Sequence, residues 1–362
     1  MAKPKPQPAG SPGDARILAA DRSLESVSVD KNARIYVAGH RGLVGSAIVR
    51  RLEEAGYTDL VTRTSAELDL TRQADTEAFF ADARPEYVFL SAARAGGIKA
   101  NATKPAEFFY VNAMIACNVI QASYRSDVTK LLYLGSSCVY PRLARQPIVE
   151  DELLSGKLEP TNEAYALAKI GGLKLCDYYR QQFGCNFISA MPTSLYGIHD
   201  NFDLEEGHLV PSLMRKFHEA KLRDEPTVVL WGTGTVYREL MYADDLADAL
   251  HFLMLNYDSP GHVNVGTGQD YTVLEYAGMV RRAVGYEGEI VHDLSKPDGI
   301  PRKQLDVSRM TALGWRPKYT LEEGLRHVYE WFSANYDQVV ADAAKRRTAH
   351  ALVKAEPSAV SV

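Results

Sequence analysis

Tyr165 and Lys169 stand four positions apart in Tyr165-Ala-Leu-Ala-Lys169, at the head of a helical stretch that runs to about Gln181. That spacing puts a phenol and an ammonium on one helix face, one turn apart. The cation favours phenolate and is expected to lower the tyrosine pKa from its ordinary value near 10 toward neutrality. Upstream, Gly135-Ser136-Ser137-Cys138 follows the apolar run Lys130-Leu-Leu-Tyr-Leu134. A Ser136 hydroxyl is suited to hold a substrate carbonyl while Tyr165 donates a proton to it. A Tyr-xxx-Lys pair is common on helices, so its meaning depends on what precedes it in the chain.

What precedes it is Arg34-Ile-Tyr-Val-Ala-Gly39-His-Arg-Gly42-Leu-Val-Gly45, a short apolar run that breaks into three glycines and continues as a helical pattern. Ile35 to Ala38 read as a buried strand. Gly39 and Gly42 let the backbone turn and approach a pyrophosphate, and Gly45 lets the next helix pack against the strand. The first N–H groups of that helix have no intrahelical partners and face an anion. The spacing, GxxGxxG, is one residue longer than the usual dinucleotide fingerprint.

Further strands are expected at Asp59–Thr62, Tyr87–Leu90, Lys130–Leu134 and Asn186–Ala190, with helices between them. This alternation predicts an α/β protein with a doubly wound parallel sheet, in which ligands bind beyond the carboxyl ends of the strands. An acid about 20 residues past the glycines would mark NAD. Leu60 to Ala66 contains none. Arg41 with Arg63 or Ser65 is instead placed to meet a 2'-phosphate, which favours NADPH, while Glu67 or Asp69 in a shifted register is the alternative.

The chain of 362 residues is long enough for a large domain and a smaller one. Its net charge of −5 does not suggest a nucleic-acid surface. Cysteines 117, 138, 176 and 185 lack metal spacing and read as reduced thiols, so no metal is expected. Cys117 and Cys176 fall on apolar helix faces and Cys185 near a strand start, all expected to be structural. No apolar run approaches a membrane span, and a cytoplasmic protein is the expectation. Residues 1–30 read as a mobile leader and 337–362 as a fraying helix and tail.

The order of glycine cradle, serine after a strand and Tyr-xxx-Lys on the next helix resembles the short-chain dehydrogenase/reductase superfamily over about residues 34–200. Arg238-Glu-Leu-Met-Tyr-Ala-Asp244-Asp245 and Asn264-Val-Gly-Thr-Gly268 resemble its extended branch, which acts on nucleotide sugars. The resemblance implies a Rossmann domain over 31–198, with return segments at about 236–268 and 311–336. A smaller, discontinuous nucleotide-sugar domain is implied at about 199–235 and 269–310.

Within that branch, AGHRGLVGSAI, LGSSCVYP, EPTNEAYALAKI, MPTSLYG, HDNF and KPDGIPRKQLD resemble the GDP-L-fucose synthases, which are GDP-4-keto-6-deoxy-mannose 3,5-epimerase-4-reductases. The resemblance implies an NADPH-dependent enzyme acting on a GDP-sugar, and a homodimer built on helices of the cofactor domain. It places the catalytic serine at Ser136, the reduction acid at Tyr165, its supporting lysine at Lys169 and the epimerisation groups at Cys138 and His208. Cofactor contacts are implied at Gly39, His40, Arg41, Gly42, Leu43, Val44 and Gly45, at Ser65, Asp69 and Leu70, and at Pro192, Thr193, Ser194 and Leu195, with Lys169 and His208. Substrate contacts fall on Lys216, Trp231, Arg238 and Asp298. Lys216 stands where the family often has arginine, beside Arg215, and lacks arginine's bidentate grip on phosphate. On an extended segment, Ser136 and Cys138 would point to one side. Two rival readings are another extended reductase or 4-epimerase, which needs no Cys138 with His208, and a cofactor-sensing protein without turnover, which needs no Tyr165.

Overall fold

The computed structural model describes residues 29–204, 207–296 and 298–343. The expected leader up to residue 28 and the tail from residue 344 lie outside the described residues. The first half alternates strand and helix: β1 (Ile35–Ala38), α1 (Leu43–Glu54), β2 (Leu60–Val61), α2 (Gln73–Ala83), β3 (Tyr87–Leu90), α3 (Ile98–Thr103), α4 (Pro105–Arg125), β4 (Lys130–Leu134), α5 (Glu163–Phe183) and β5 (Phe187–Pro192). There follow β6 (Ser194–Tyr196), α6 (Leu209–Leu222), β7 (Thr227–Trp231), β8 (Tyr237–Arg238), β9 (Leu240–Tyr242), α7 (Ala243–Asn256) and β10 (His262–Val265). The last elements are β11 (Tyr271–Thr272), α8 (Val273–Val284), β12 (Glu289–Asp293), α9 (Ser308–Ala312) and α10 (Leu321–Ala334).

Among the described residues, six strands form one parallel sheet in the order β10-β5-β4-β3-β1-β2. The chain starts in the middle at β1 and winds outward both ways, so the strand order reverses between β1 and β3. That reversal opens the crevice in which doubly wound sheets bind ligands. Central strands β1 and β4 are buried along their whole length, as apolar runs covered on both faces must be. The edge strand β2 is shorter than expected, Leu60–Val61 rather than Asp59–Thr62, because only Ile35 and Tyr36 of β1 pair with it.

One face of the sheet is covered by α1 and α7 around Ile48, Leu52, Leu246 and Leu250, the other by α4 and α5 around Val119, Ile120, Ala166 and Leu173. A third cluster joins α6, β7, α8 and α10 through Phe217, Leu230, Tyr276 and Phe332. Local chemistry sets several helix ends. Pro105 opens α4, where its missing N–H costs nothing. Thr272 with Glu275 and Thr320 with Glu323 form capping boxes on α8 and α10. Cys176 is buried in the second cluster and Cys185 packs against it, but Cys117 is exposed on α4, contrary to the apolar face expected for it.

Candidate active site

The glycine turn sits at the carboxyl end of β1. Gly39 has φ +88°, and a Cβ there would meet the Ala92 backbone at 2.8 Å, so the turn needs glycine and small neighbours after β3. A Cβ on Gly45 would lie 2.1 Å from the Gly39 carbonyl oxygen, which presses α1 against the turn it follows. Gly42 caps α1 without a side-chain hydrogen bond, and no acid stands in the first turn. Among the described residues, the buried Nδ1 of His40 also has no hydrogen-bond partner. A close-packed cradle with free helix N–H groups and no acid fits a diphosphate.

At the end of β2, the carboxylate of Glu67 accepts from the Thr64 N–H at 2.7 Å, and that of Asp69 accepts from Thr71 N–H and Oγ1 at 3.0 and 2.7 Å. Both acids close local turns, and both are held below the usual carboxylate range, chiefly by the bond to the Thr64 backbone for Glu67 and the Thr71 hydroxyl for Asp69. Ser65 and Arg41 are exposed beside them. Leu70 turns its side chain into the core, and its carbonyl accepts from Asn118 Nδ2 at 2.9 Å. Pro192 ends β5 and Thr193 bonds across to Val265 O at 2.9 Å, which brings Ser194 to the surface at the carboxyl edge.

Ser136 leaves β4 with φ −161° and ψ 144°, but Ser137–Val139 then form a turn of 3-10 helix, so Cys138 does not share an extended segment with it. This corrects the expectation. The two side chains meet by capping instead: the Cys138 N–H donates to Ser136 Oγ at 3.3 Å. The thiol lies within reach of two donors, Asn162 Nδ2 at 3.2 Å and Lys303 Nζ at 3.7 Å. Both residues stand in the stretches that carry the family resemblance, yet no local spacing links them to Cys138.

Tyr165 and Lys169 occupy the first turns of α5, where Phe108 of α4 meets the phenol ring edge-on at 6.4 Å. Burial pushes the Tyr165 phenol above its ordinary pKa, the charge of Cys138 adds to this, and a hydrogen bond from Ser136 opposes it. The shift runs opposite to the lowering expected from Lys169, although the side chain is only half-buried. The Lys169 ammonium lies 5.9 Å from the ring centre, donates to Leu134 O at 2.8 Å, and is itself pushed down to about 8 by burial. Desolvation disfavours both charges and outweighs their attraction. Tyr165 stays a neutral phenol, the form that can give a proton.

His208 precedes α6 with its side chain 46% open, and its Nδ1 lies 3.2 Å from Asp200 Oδ1. The hydrogen bond and charge of Asp200 pull the imidazole above its ordinary pKa against desolvation, and Cys138 adds a smaller pull the same way. Cys138 is close enough to contribute to the shifts of both Tyr165 and His208, and its N–H caps onto Ser136 at 3.3 Å. Lys216 Nζ donates to Val229 O at 3.2 Å and sits 4.9 Å above the Trp231 ring, while Arg215 turns inward to Glu219 at 2.6 Å. Arg238 holds the carbonyls of Ile300 and Asp298, and Asp298 accepts from Thr233 N–H at 2.7 Å. Ser136, Cys138, Tyr165 and Lys169 therefore stand together beyond the carboxyl end of β4, and His208 at the head of α6 is near enough to feel Cys138, while Trp231 and Arg238 stand on β7 and β8 and Asp298 in the segment after β12.

A parallel sheet with a glycine cradle at its switch point and a Ser/Tyr/Lys set beyond β4 defines a class of nucleotide-dependent enzymes, and the family model for the NAD dependent epimerase/dehydratase family matches residues 35–266. The chain belongs to that family. Among similar proteins, GDP-L-fucose synthase 1 of Arabidopsis thaliana is 56% identical over 306 residues, 84% of this chain and 95% of the relative. The solved GDP-6-OMe-4-keto-L-xylo-heptose reductase of Campylobacter jejuni is 37% identical with a TM-score of 0.81, covering 85% of this chain and 99% of its own. A GDP-L-fucose synthetase from Naegleria fowleri, solved bound to NADP, is 28% identical with a TM-score of 0.80, over 86% of this chain and 97% of its own.

Proposed function

We propose that this protein is a GDP-L-fucose synthase, which inverts carbons 3 and 5 of GDP-4-keto-6-deoxy-mannose and reduces the 4-ketone. The observation that carries the epimerase half is Cys138, whose N–H caps onto Ser136 and whose sulfur meets Asn162 Nδ2 at 3.2 Å and Lys303 Nζ at 3.7 Å. A reductase alone needs Ser136, Tyr165 and Lys169. The extra thiol and imidazole supply what inversion requires, a base on one face of the carbon and an acid on the other.

The ketone acidifies the hydrogens on the adjacent carbons. Ser136 holds the ketone oxygen, Cys138 and His208 exchange protons at carbons 3 and 5, and Tyr165, kept neutral by burial, gives a proton to the oxygen on carbon 4. Lys169, tied to Leu134 O at 2.8 Å, fixes the head of α5 against β4 and supports Tyr165 one turn away. NADPH, when bound, supplies the hydride for carbon 4. Residues 39–45 would hold its diphosphate, and Arg41, Ser65, Asp69, Leu70, residues 192–195 and His208 would make its other contacts. Lys216, Trp231, Arg238 and Asp298 hold the GDP portion. The division into a cofactor unit and a nucleotide-sugar unit belongs to the same reading.

A homodimer through α4 and α5 is part of this proposal. Phe109 and Tyr110 on α4 and Leu167 and Tyr178 on α5 expose 45, 60, 43 and 57% of their surface. A patch of this kind marks an interaction surface, and light scattering that gives a monomer mass across working concentrations would contradict it. Among the described residues, no helix is long and apolar enough to cross a membrane. Four free cysteines suit a cytoplasmic setting. The deciding experiment mixes the full chain with GDP-4-keto-6-deoxy-mannose and NADPH and identifies the product by NMR. GDP-L-fucose is expected; a reduced sugar with carbons 3 and 5 uninverted would leave only a reductase, and no NADPH oxidation would leave a cofactor-binding protein.

A further inference from the structure

We propose that Asp200 is a positioning residue for His208, holding Nδ1–H against its carboxylate so that Nε2 is the nitrogen turned toward the ligand. The proposal rests on the reading of His208 as an acid–base group. It starts from the loop between β6 and α6, which folds back on itself. The Gly207 N–H donates to Asp203 O at 2.9 Å, and a Cβ on Gly207 would meet the carbonyl oxygens of Asp203 and Asn201 at 2.3 and 2.5 Å. Only a glycine allows that return, and it sets His208 over Asp200.

The two side chains differ sharply in exposure: 3% for Asp200 and 46% for His208. A buried carboxylate needs donors, and it can only accept. Oδ1 accepts from the Asn201 N–H at 2.7 Å and lies 3.2 Å from His208 Nδ1. Oδ2 is buried and has no hydrogen-bond partner among the described residues. A bare imidazole nitrogen facing Oδ1 would set lone pair against lone pair, so Nδ1 carries the proton in both ring states. The proton that His208 gains and loses is then on Nε2, at the open end of the ring.

The titratable groups that act on the imidazole are Asp200 from its own loop and Cys138 from the turn after β4, and Lys303 Nζ lies 3.7 Å from that thiol. Both acidic partners pull the ring toward its protonated form, the carboxylate more strongly. Asp200 therefore fixes the tautomer, the ring plane and the pH at which Nε2 fills.

The test is nitrogen-15 and carbon-13 NMR of the full chain with labelled histidine, His208 being assigned from the signal lost in His208→Asn. In the wild type, neutral His208 is expected as the Nδ1–H tautomer; an Nε2–H tautomer would overturn the proposal without any variant. In Asp200→Asn the titration midpoint is expected to fall by about 1 unit or more, as for loss of an adjacent opposite charge. Carbon-3 and carbon-5 hydrogen exchange is expected to fall about 10- to 100-fold in that variant, with its pH profile displaced to match. Asp200→Glu is expected to recover part of both. An unchanged midpoint in Asp200→Asn would also overturn the proposal. The ring measurements use no substrate, so absence of turnover in the wild type would defeat the functional reading while the role of Asp200 is still decided.

Discussion

Lys303 Nζ lies 3.7 Å from Cys138 Sγ although the two residues are 165 positions apart, and Asn162 Nδ2 approaches the same sulfur at 3.2 Å. Any step that leaves the sulfur charged is met by an ammonium and an amide already in place. Charge-assisted contacts of this kind are stronger than neutral ones.

Lys303→Met should therefore lower hydrogen exchange at carbons 3 and 5 about 10- to 100-fold, the lower part of the range for general acid–base groups. NADPH affinity should be unchanged, because the lysine meets Cys138 and lies in the segment after β12, far in sequence from the glycine turn at 39–45. Exchange at the wild-type rate in deuterated water would show that the ammonium does not act on the sulfur.

Reduction and epimerisation should separate by mutation. Tyr165→Phe should abolish NADPH oxidation yet permit exchange of both hydrogens, because Cys138 and His208 remain. Cys138→Ser should lose most of the exchange, a hydroxyl being a far weaker acid and base near neutrality, and should reduce the uninverted ketone slowly. His208→Asn should also impair exchange, by about 100- to 10,000-fold. Wild-type exchange in Cys138→Ser would remove the thiol from the mechanism.

NADPH should bind more tightly than NADH. Glu67 and Asp69 are engaged in local turns, and each charge-assisted hydrogen bond to the 2'-phosphate contributes about 1.5 to 3 kcal/mol. Arg41→Ala should weaken NADPH about 10- to 100-fold and leave NADH unaffected. Equal dissociation constants for the two cofactors in the wild type, measured by calorimetry, would instead make one of the two acids a ribose ligand.

Gly45→Ala should nearly abolish cofactor binding. Its methyl would have to displace the Gly39 carbonyl oxygen, 2.1 Å away, and with it the turn under the diphosphate. Gly42→Ala should be much milder, since its nearest contact is 3.4 Å. Similar affinities for the two variants would mean that the turn yields more easily than close packing implies.

The Asp200–His208 pair should make stability depend on pH in a defined sense. His208 is raised by its partner, so its contribution is fully present below the unfolded value of about 6.5 and is lost as pH rises through the higher folded value. The gap in Tm between the wild type and Asp200→Asn should therefore be widest near pH 6 and narrow toward alkaline pH. A gap that widens with pH would reverse the assignment.

Much of the architecture was legible because its signals are local. Strand β1, the glycine spacing and the four-residue step from Tyr165 to Lys169 each lie within a dozen residues, a range over which side-chain periodicity and backbone sterics act directly. Features set by longer-range contacts are not encoded in such patterns. The Tyr165–Lys169 spacing predicts a lowered phenol pKa, yet desolvation raises it, and desolvation depends on groups distant in the chain, such as Phe108 of α4, which meets the ring edge-on. Asn162, Asp200 and Lys303 lie in stretches whose family resemblance is plain, but their partners in the site are set by where loops cross the carboxyl edge of the sheet. Composition and spacing determine which residues are able to do the chemistry; tertiary structure decides which charges are desolvated and which meet, because both depend on distances that no local pattern encodes.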